Sequence, residues 1–139
     1  MIQCGLTGSS GVLGKVLIEN YKSKIKFKKF RGDVRKINDV KKWINTNKFE
    51  YIIHLAAIVP TNIVEKNIKK AEEVNILGTS NIADAILKTD KKIWLFFSST
   101  SHVYKIPKIK TKINERAKLK PYSKYGKTKL KAEKILIKK

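Results

Sequence analysis

Tyr125 and Lys129 stand four residues apart in the stretch Tyr125-Gly126-Lys127-Thr128-Lys129. On a helix that spacing places a phenol and an ammonium on one face, one turn from each other. A phenol with an ordinary pKa near 10 is a poor proton shuttle at neutral pH, and a neighbouring cation lowers that value, so the pair suits proton transfer. Tyr-x-x-x-Lys recurs by chance in a chain with 32 lysines and arginines; what precedes it gives it weight. Ser98-Ser99-Thr100-Ser101 sets four hydroxyl residues directly after the apolar run Ile93-Trp94-Leu95-Phe96-Phe97. Near the N-terminus, Gly8, Gly11 and Gly14 follow a short apolar run and lead into Val12-Leu13-Gly14-Lys15-Val16-Leu17-Ile18. Gly8 suits a tight turn, Gly11 leaves space where a phosphate must approach, and Gly14 lets a helix lie close to a sheet. The helix start adds free N–H groups and a positive dipole end, a cradle for pyrophosphate.

Strands and helices must bring these three groups together. Val12, Val16, Leu17 and Tyr21 recur at helical spacing, so the first helix is expected to end near Ser23 with an apolar face. Ile25 to Phe30 reads as a second strand with a cationic face, tipped by Arg31-Gly32-Asp33. In a dinucleotide-binding fold this tip meets the adenosine half of the ligand. Asp33 has the spacing of a ribose-binding acid, whereas Arg31 would favour an extra phosphate, and the cationic strand inclines the reading to NADP over NAD. A short helix is predicted over about 38–46. Glu50 to Ala57 reads as a strand buried on both faces, ending in small residues that leave room for a flat ligand. His54 there stands either beside that ligand or in the core, and the core reading is favoured. A loop broken by Pro60 covers 58–66, a strongly periodic helix runs from about Ile68 to Leu87, and Ile93 to Phe97 is the next buried strand. Its hydroxyl-rich end should face the same crevice as the glycines. A loop over 105–120, containing Pro107, precedes a last helix opened by Pro121.

The 139 residues fit one unit, 1–139, large enough for a core. The fold class expected is α/β: a doubly wound, Rossmann-like parallel sheet of about four to five strands flanked by helices. No apolar run is long enough to span a bilayer and no signal peptide is read, so a cytoplasmic location is expected. Cys4, the single cysteine, is expected to pack as a small apolar residue. No metal-ligand cluster is read. The net charge of +21 invites anionic partners, yet only Arg31, Arg35 and Arg116 are arginine and the lysines are scattered. That argues against a dedicated nucleic-acid reader, because arginine is the residue of bidentate base and phosphate recognition.

Taken together, these motifs resemble the extended short-chain dehydrogenase/reductase family of nucleotide-sugar epimerases, dehydratases and reductases. Thr7, Gly8, Gly11 and Gly14 are similar to its Thr-Gly-x-x-Gly-x-x-Gly loop, and Gly32-Asp33-Val34 to its Gly-Asp-Val/Leu element. His54-Leu55-Ala56-Ala57 resembles its small-residue strand end, and Val74-Asn75-Ile76-Leu77-Gly78-Thr79 its Val-Asn-x-x-Gly-Thr. Ser98 to Tyr104 and Tyr125 to Lys129 resemble its Ser-Ser-x-x-x-Val-Tyr and Tyr-Gly-x-Ser/Thr-Lys. The resemblance implies catalytic roles for Thr100, Tyr125 and Lys129: the hydroxyl bonds the substrate oxygen, the phenol moves its proton, and hydride passes between a sugar carbon and a nicotinamide. It implies cofactor contacts from Thr7, Gly8, Ser10, Gly11, Val12, Leu13, Gly14, Arg31, Asp33, Val34, Leu55, Ala56, Ala57, Asn75 and Lys129.

Only one strand fits between the first helix and Asp33, a compression that looks more like the dTDP-4-dehydrorhamnose reductase branch. Ser99-Thr100-Ser101-His102-Val103-Tyr104 departs from that branch's Ser-Thr-Asp-Tyr-Val-Phe, and Lys105 replaces a glycine frequent in the family. The family builds its sugar-binding portion beyond the Tyr-x-x-x-Lys helix, so the resemblance implies a cofactor-binding portion lacking its substrate domain, inactive alone. An epimerase or dehydratase, and a catalytically incomplete cofactor-binding or basic nucleic-acid-binding module, are the alternative readings. An uncovered apolar sheet face and edge would invite a homodimer.

Overall fold

The computed structural model describes residues 1–59, 61–106 and 112–139, so Pro60 and Pro107 lie outside the described residues. Four strands, β1 (Ile2–Thr7), β2 (Ile25–Lys29), β3 (Tyr51–His54) and β4 (Trp94–Phe97), form one parallel sheet in the order β2-β1-β3-β4. Between β1 and β2 lies α1 (Val12–Tyr21), and between β2 and β3 lies α2 (Ile37–Asn45). After β3 come α3 (Thr61–Lys66), α4 (Ile68–Glu72) and α5 (Gly78–Leu87), the last two joined through a π-helical turn at Glu73–Leu77. A 3₁₀ turn at Ser101–Val103 follows β4, and α6 (Lys124–Ile137) ends the chain's regular structure.

Connection direction decides which face each helix covers. The step from β1 to β2 runs one way along the sheet, and the steps from β2 to β3 and β3 to β4 run the other. Right-handed crossovers therefore put α1 on one face and α2 and α5 on the opposite one. The core sits on the α2/α5 face, where Val40 and Ile44 of α2, Ile52 of β3 and Ile82 and Ala85 of α5 are fully packed. Trp43 packs at steep ring angles between Phe30 and Phe49 over Gly5, where a Cβ would come within 2.7 Å of the indole. On the other face α1 covers Cys4 and Leu6 of β1, both buried. Burial pushes the free Cys4 thiol up from its ordinary pKa.

β3 and β4 are not buried on both faces: Tyr51, Trp94 and Phe96, which share the α1 face by register, are exposed, Trp94 by 64% and Phe96 by 61%. α1 is too far toward β1 and β2 to cover them. The apolar face of α1 is correspondingly open, with Val12 82% exposed and Gly14 its one fully buried residue. Residues 61–66, expected as loop, form α3, because Val64 finds a buried seat against Ala71 and Tyr125. α6 opens at Lys124 after Ser123, whose hydroxyl accepts from the Gly126 N–H at 3.0 Å, rather than at Pro121.

Candidate active site

Thr7 ends β1, and its hydroxyl is wholly buried. Its oxygen accepts the Leu55 and Ala56 N–H groups, both at 3.1 Å, which ties the end of β3 to the end of β1. With two hydrogen bonds already accepted, the hydroxyl donates its own to His54 Nδ1 at 2.6 Å. Thr79 Oγ1 donates to the Asn75 carbonyl at 2.7 Å and so accepts from His54 Nε2 at 3.1 Å. This network assigns the Nε2–H tautomer of a neutral imidazole. Burial, aided by the Lys129 charge, lowers the His54 pKa to about 3. His54 is a core histidine, as favoured from sequence.

Gly8 follows with φ +69, a left-handed conformation, and a Cβ there would lie 2.7 Å from the Ala56 nitrogen. Its carbonyl accepts the Gly11 N–H at 3.1 Å, closing the turn that starts α1. A Cβ on Gly11 would touch only the Gly8 oxygen at 3.4 Å, so that position stays open toward the cleft. Gly14 serves the loop rather than the sheet: its Cβ would strike the Gly8 oxygen at 2.5 Å.

A cleft of about 720 Å³ opens above these turns, lined by Ser10, Gly11, Val12, Leu13, Gly14, Leu55, Ala57, Val59, Ser98 and Tyr125, among others. A second hollow of about 440 Å³, lined by Asp33, Val34, Arg35 and Lys70, shares Gly8, Ala56 and Val74 with it. The two form one crevice across the carboxyl ends of the strands, at the point where strand order reverses.

The structure brings most of the sequence-predicted residues to this crevice, but not all. Arg31 lines a neighbouring depression with Lys29, Lys42 and Trp43 instead. Thr7, Asn75 and Lys129 lie beneath the crevice, each at most 2% exposed. Asn75, in the π-turn, has its side chain fully engaged: it accepts the Ile58 N–H at 2.8 Å and donates to the Ile58 carbonyl at 3.1 Å and to Thr128 Oγ1 at 3.0 Å. It clamps the segment after β3 to α6. Arg35, not singled out from sequence, grips Asp33 at 2.6 Å and reaches Glu73 at 3.2 Å. Hydrogen bonds from Arg35 lower the Asp33 pKa to about 2. Its signal was an arginine two residues beyond an acid at a strand tip.

At the other end of the crevice stands Tyr125, buried in the first turn of α6. Burial raises the phenol's pKa, and hydrogen bonding toward the Thr100 side chain works against it. The lowering expected from Lys129 is therefore not the leading effect on the phenol. Lys129 is itself desolvated: its ammonium lies 4.0 Å from the centre of the Phe97 ring, and burial lowers its pKa to about 8, opposed by Glu133. Glu133 also accepts a hydrogen bond from Ser99. The helix start is seated on the hydroxyl-rich turn, for a Cβ at Gly126 would come within 2.5 Å of the His102 oxygen. Among the described residues no group of His, Cys, Asp and Glu could hold a metal ion, and no helix is long and apolar enough to cross a membrane.

The family model described as RmlD substrate binding domain matches residues 3–139. The chain belongs to this family, which groups dTDP-4-dehydrorhamnose reductases with nucleotide-sugar epimerases in the wider short-chain dehydrogenase/epimerase family. It is 34% identical over 113 residues to a UDP-glucose 4-epimerase of Lactobacillus helveticus, covering 80% of this chain and 33% of that protein. Among solved structures, a dTDP-4-dehydrorhamnose reductase from Clostridium acetobutylicum superposes with a TM-score of 0.87 and 26% identity over 99% of this chain and 49% of its own. The Bacillus anthracis dTDP-4-dehydrorhamnose reductase in complex with NADP gives 0.88 and 26%, over 99% and 50%. The chain thus spans a third of that epimerase and about half of the reductases. The Rossmann-like fold is that of the family, whose members are enzymes.

Proposed function

We propose that this chain is the cofactor-binding portion of an NAD(P)-dependent nucleotide-sugar oxidoreductase, reducing a sugar keto group in the manner of a dTDP-4-dehydrorhamnose reductase. One observation carries the reading: a continuous crevice runs from the Asp33–Arg35 pair past Gly8 and Gly11 to Tyr125, in the first turn of α6. The open side of Gly11 and the free N–H groups of α1 fit a pyrophosphate. Asp33 and Arg35 would meet the adenosine half, and Leu55, Ala56 and Ala57 leave space for a flat ring system. A bound nicotinamide would supply hydride to the sugar carbon. Thr100 would orient the substrate oxygen and Tyr125 would give it a proton.

A protonated phenol is what the reductive direction needs, and burial keeps Tyr125 protonated at neutral pH. NADP is favoured over NAD because Arg35 already compensates the Asp33 charge and Lys70 lines the same hollow. The sugar nucleotide itself would be held largely by chain beyond this portion.

The test is a pair of titrations with NADPH and NADH at about 0.15 M salt, where nonspecific attraction to the basic chain is screened. Tighter, salt-resistant NADPH binding, weakened at least tenfold by Gly11→Val, is expected. Absence of binding by both nucleotides would overturn the reading, and preferential binding of duplex DNA would replace it with the nucleic-acid alternative.

A further inference from the structure

His102, one of the residues at which the chain departs from the reductase pattern, lies half-buried in the 3₁₀ turn after β4. Its backbone N–H donates to Thr100 Oγ1 at 3.3 Å, which leaves that hydroxyl its own proton and a second lone pair. Its ring reaches toward α6. Nδ1 lies 3.4 Å from the hydroxyl of Ser123, the cap of that helix, and Nε2 lies 3.3 Å from the Tyr122 hydroxyl. Ser123 already accepts the Gly126 N–H at 3.0 Å, so its own proton goes to Nδ1, and the remaining ring N–H, on Nε2, donates to Tyr122. The imidazole packs 5.1 Å from the Tyr122 ring and edge-on to Tyr125, at 5.9 Å and 78°. The carbonyl of the same residue abuts Gly126, where a Cβ would come within 2.5 Å. One residue thus engages both capping hydroxyls, Thr100 of the turn and Ser123 of the helix, and packs against the phenol ring as well.

We propose that His102 is the positioning residue of the Thr100–Tyr125 pair: its backbone amide orients the Thr100 hydroxyl, and its imidazole holds the cap and first turn of α6, which carry Tyr125. A phenol on the first turn of a helix moves with that turn, and helix ends open readily unless their N–H groups are satisfied. The imidazole suits the task because its two nitrogens serve two partners at once while the flat ring fills the space between the turn and the helix. Lys124, beside the cap, is engaged by Glu65 at 3.0 Å and leaves Ser123 to the imidazole.

The inference rests on the reading of Thr100 and Tyr125 as the reacting pair, but its test uses no nucleotide, so it can fail where NADPH binding succeeds, and the reverse. In the whole chain the Gly126 amide is followed by hydrogen exchange, and the Tyr125 phenol is titrated by NMR of ring-labelled tyrosine, assigned with Tyr125→Phe. Two conservative variants divide the ring's contacts: Asn carries its oxygen where Nδ1 stands, and Gln carries its polar atoms where Nε2 stands. His102→Gln is expected to speed Gly126 exchange about fivefold, the effect of one weakened hydrogen bond. It should also raise the phenol's titration by about half a pH unit, as hydrogen bonding toward Thr100 loosens. His102→Asn should keep the wild-type exchange and titration. Ser123→Ala should speed Gly126 exchange by itself, and adding His102→Gln to it should speed it no further, because the ring acts through that hydroxyl. Wild-type behaviour of His102→Gln, equal losses in His102→Asn and His102→Gln, or additive effects of His102→Gln and Ser123→Ala would each overturn the inference.

Discussion

The imidazole of His54 accepts a hydrogen bond from Thr7 and donates one to Thr79, so a second ring proton would break the first of these bonds inside a dry core. Its folded pKa of about 3 lies below the ordinary 6.5, so the unfolded chain binds the proton more readily between those values. The His54 contribution to stability is therefore full above pH 6.5 and declines as pH falls toward 3, with a slope of up to about 1.4 kcal/mol per pH unit. Urea midpoints at pH 7 and pH 5 should show the fall, in a window where the carboxylates stay ionised; His54→Gln should flatten it, and an equal slope in that variant would exclude His54 as its source. Lys129 makes the opposite trade. An ammonium held over Phe97 and depressed to about 8 destabilises the fold at neutral pH. Lys129→Met should stabilise the fold at pH 7 by about 1–3 kcal/mol in urea unfolding, with the gain shrinking as pH rises from about 8 to 10.5, above which the wild-type amine is neutral in both states. A destabilised variant would mean that the charge is satisfied where it lies. Gly8→Ala combines a left-handed backbone with a 2.7 Å clash at Ala56, and should cost about 2 kcal/mol or more in the same assay. An unchanged midpoint would refute that strain.

The π-turn between α4 and α5 carries one side chain, Asn75, that joins two other elements: the segment after β3 at Ile58 and helix α6 at Thr128. Asn75→Ala leaves the Ile58 N–H and carbonyl without their partner, while Thr128 keeps its bond to the Tyr125 carbonyl, and should cost about 1–3 kcal/mol. Faster hydrogen exchange at Ile58 than at the β3 amides would show the segment loosening first; equal exchange at both would mean that Asn75 is merely packed. The same elements show what sequence does and does not carry. Strand and helix order was legible because β3 and β4 read as apolar runs and Ile68–Leu87 as a helical period. The π-turn was not, since its only local mark is an asparagine that looked like a ligand contact and is instead buried beneath the crevice. α3 was missed because one valine, Val64, supplies its anchor and a single residue makes no period. The openness of β4 was hidden for a different reason: Trp94 and Phe96 are as apolar as core residues, and only the count of covering helices shows that nothing lies over them. At the crevice, glycine spacing located the turn correctly, whereas Arg31 and Arg35 could be told apart only by where the tip of β2 turns.

Across the whole molecule, 32 basic residues face 11 acidic ones, and the few ion pairs described lie at the surface, such as Lys124 with Glu65 at 3.0 Å and Lys131 with Glu72 at 2.8 Å. Such pairs contribute about 0–1 kcal/mol each. Folding concentrates the remaining positive charge into a smaller volume than the unfolded chain occupies, so self-repulsion opposes the compact state. Salt screens this repulsion over about 10 Å at 0.1 M and about 3 Å at 1 M, and it screens the attractive pairs as well. With 21 unmatched positive charges the repulsion outweighs the pairs, and added salt should stabilise. The melting temperature is expected to rise by several degrees between about 10 mM and 0.5 M sodium chloride, the size of shift that about 1 kcal/mol produces in a domain of this length. Chloride and fluoride should act alike if screening is the cause, whereas a bound anion would saturate at low concentration and depend on its identity. A melting temperature that falls with salt would mean that the surface pairs, and not the excess of lysine, set the electrostatic balance of the fold.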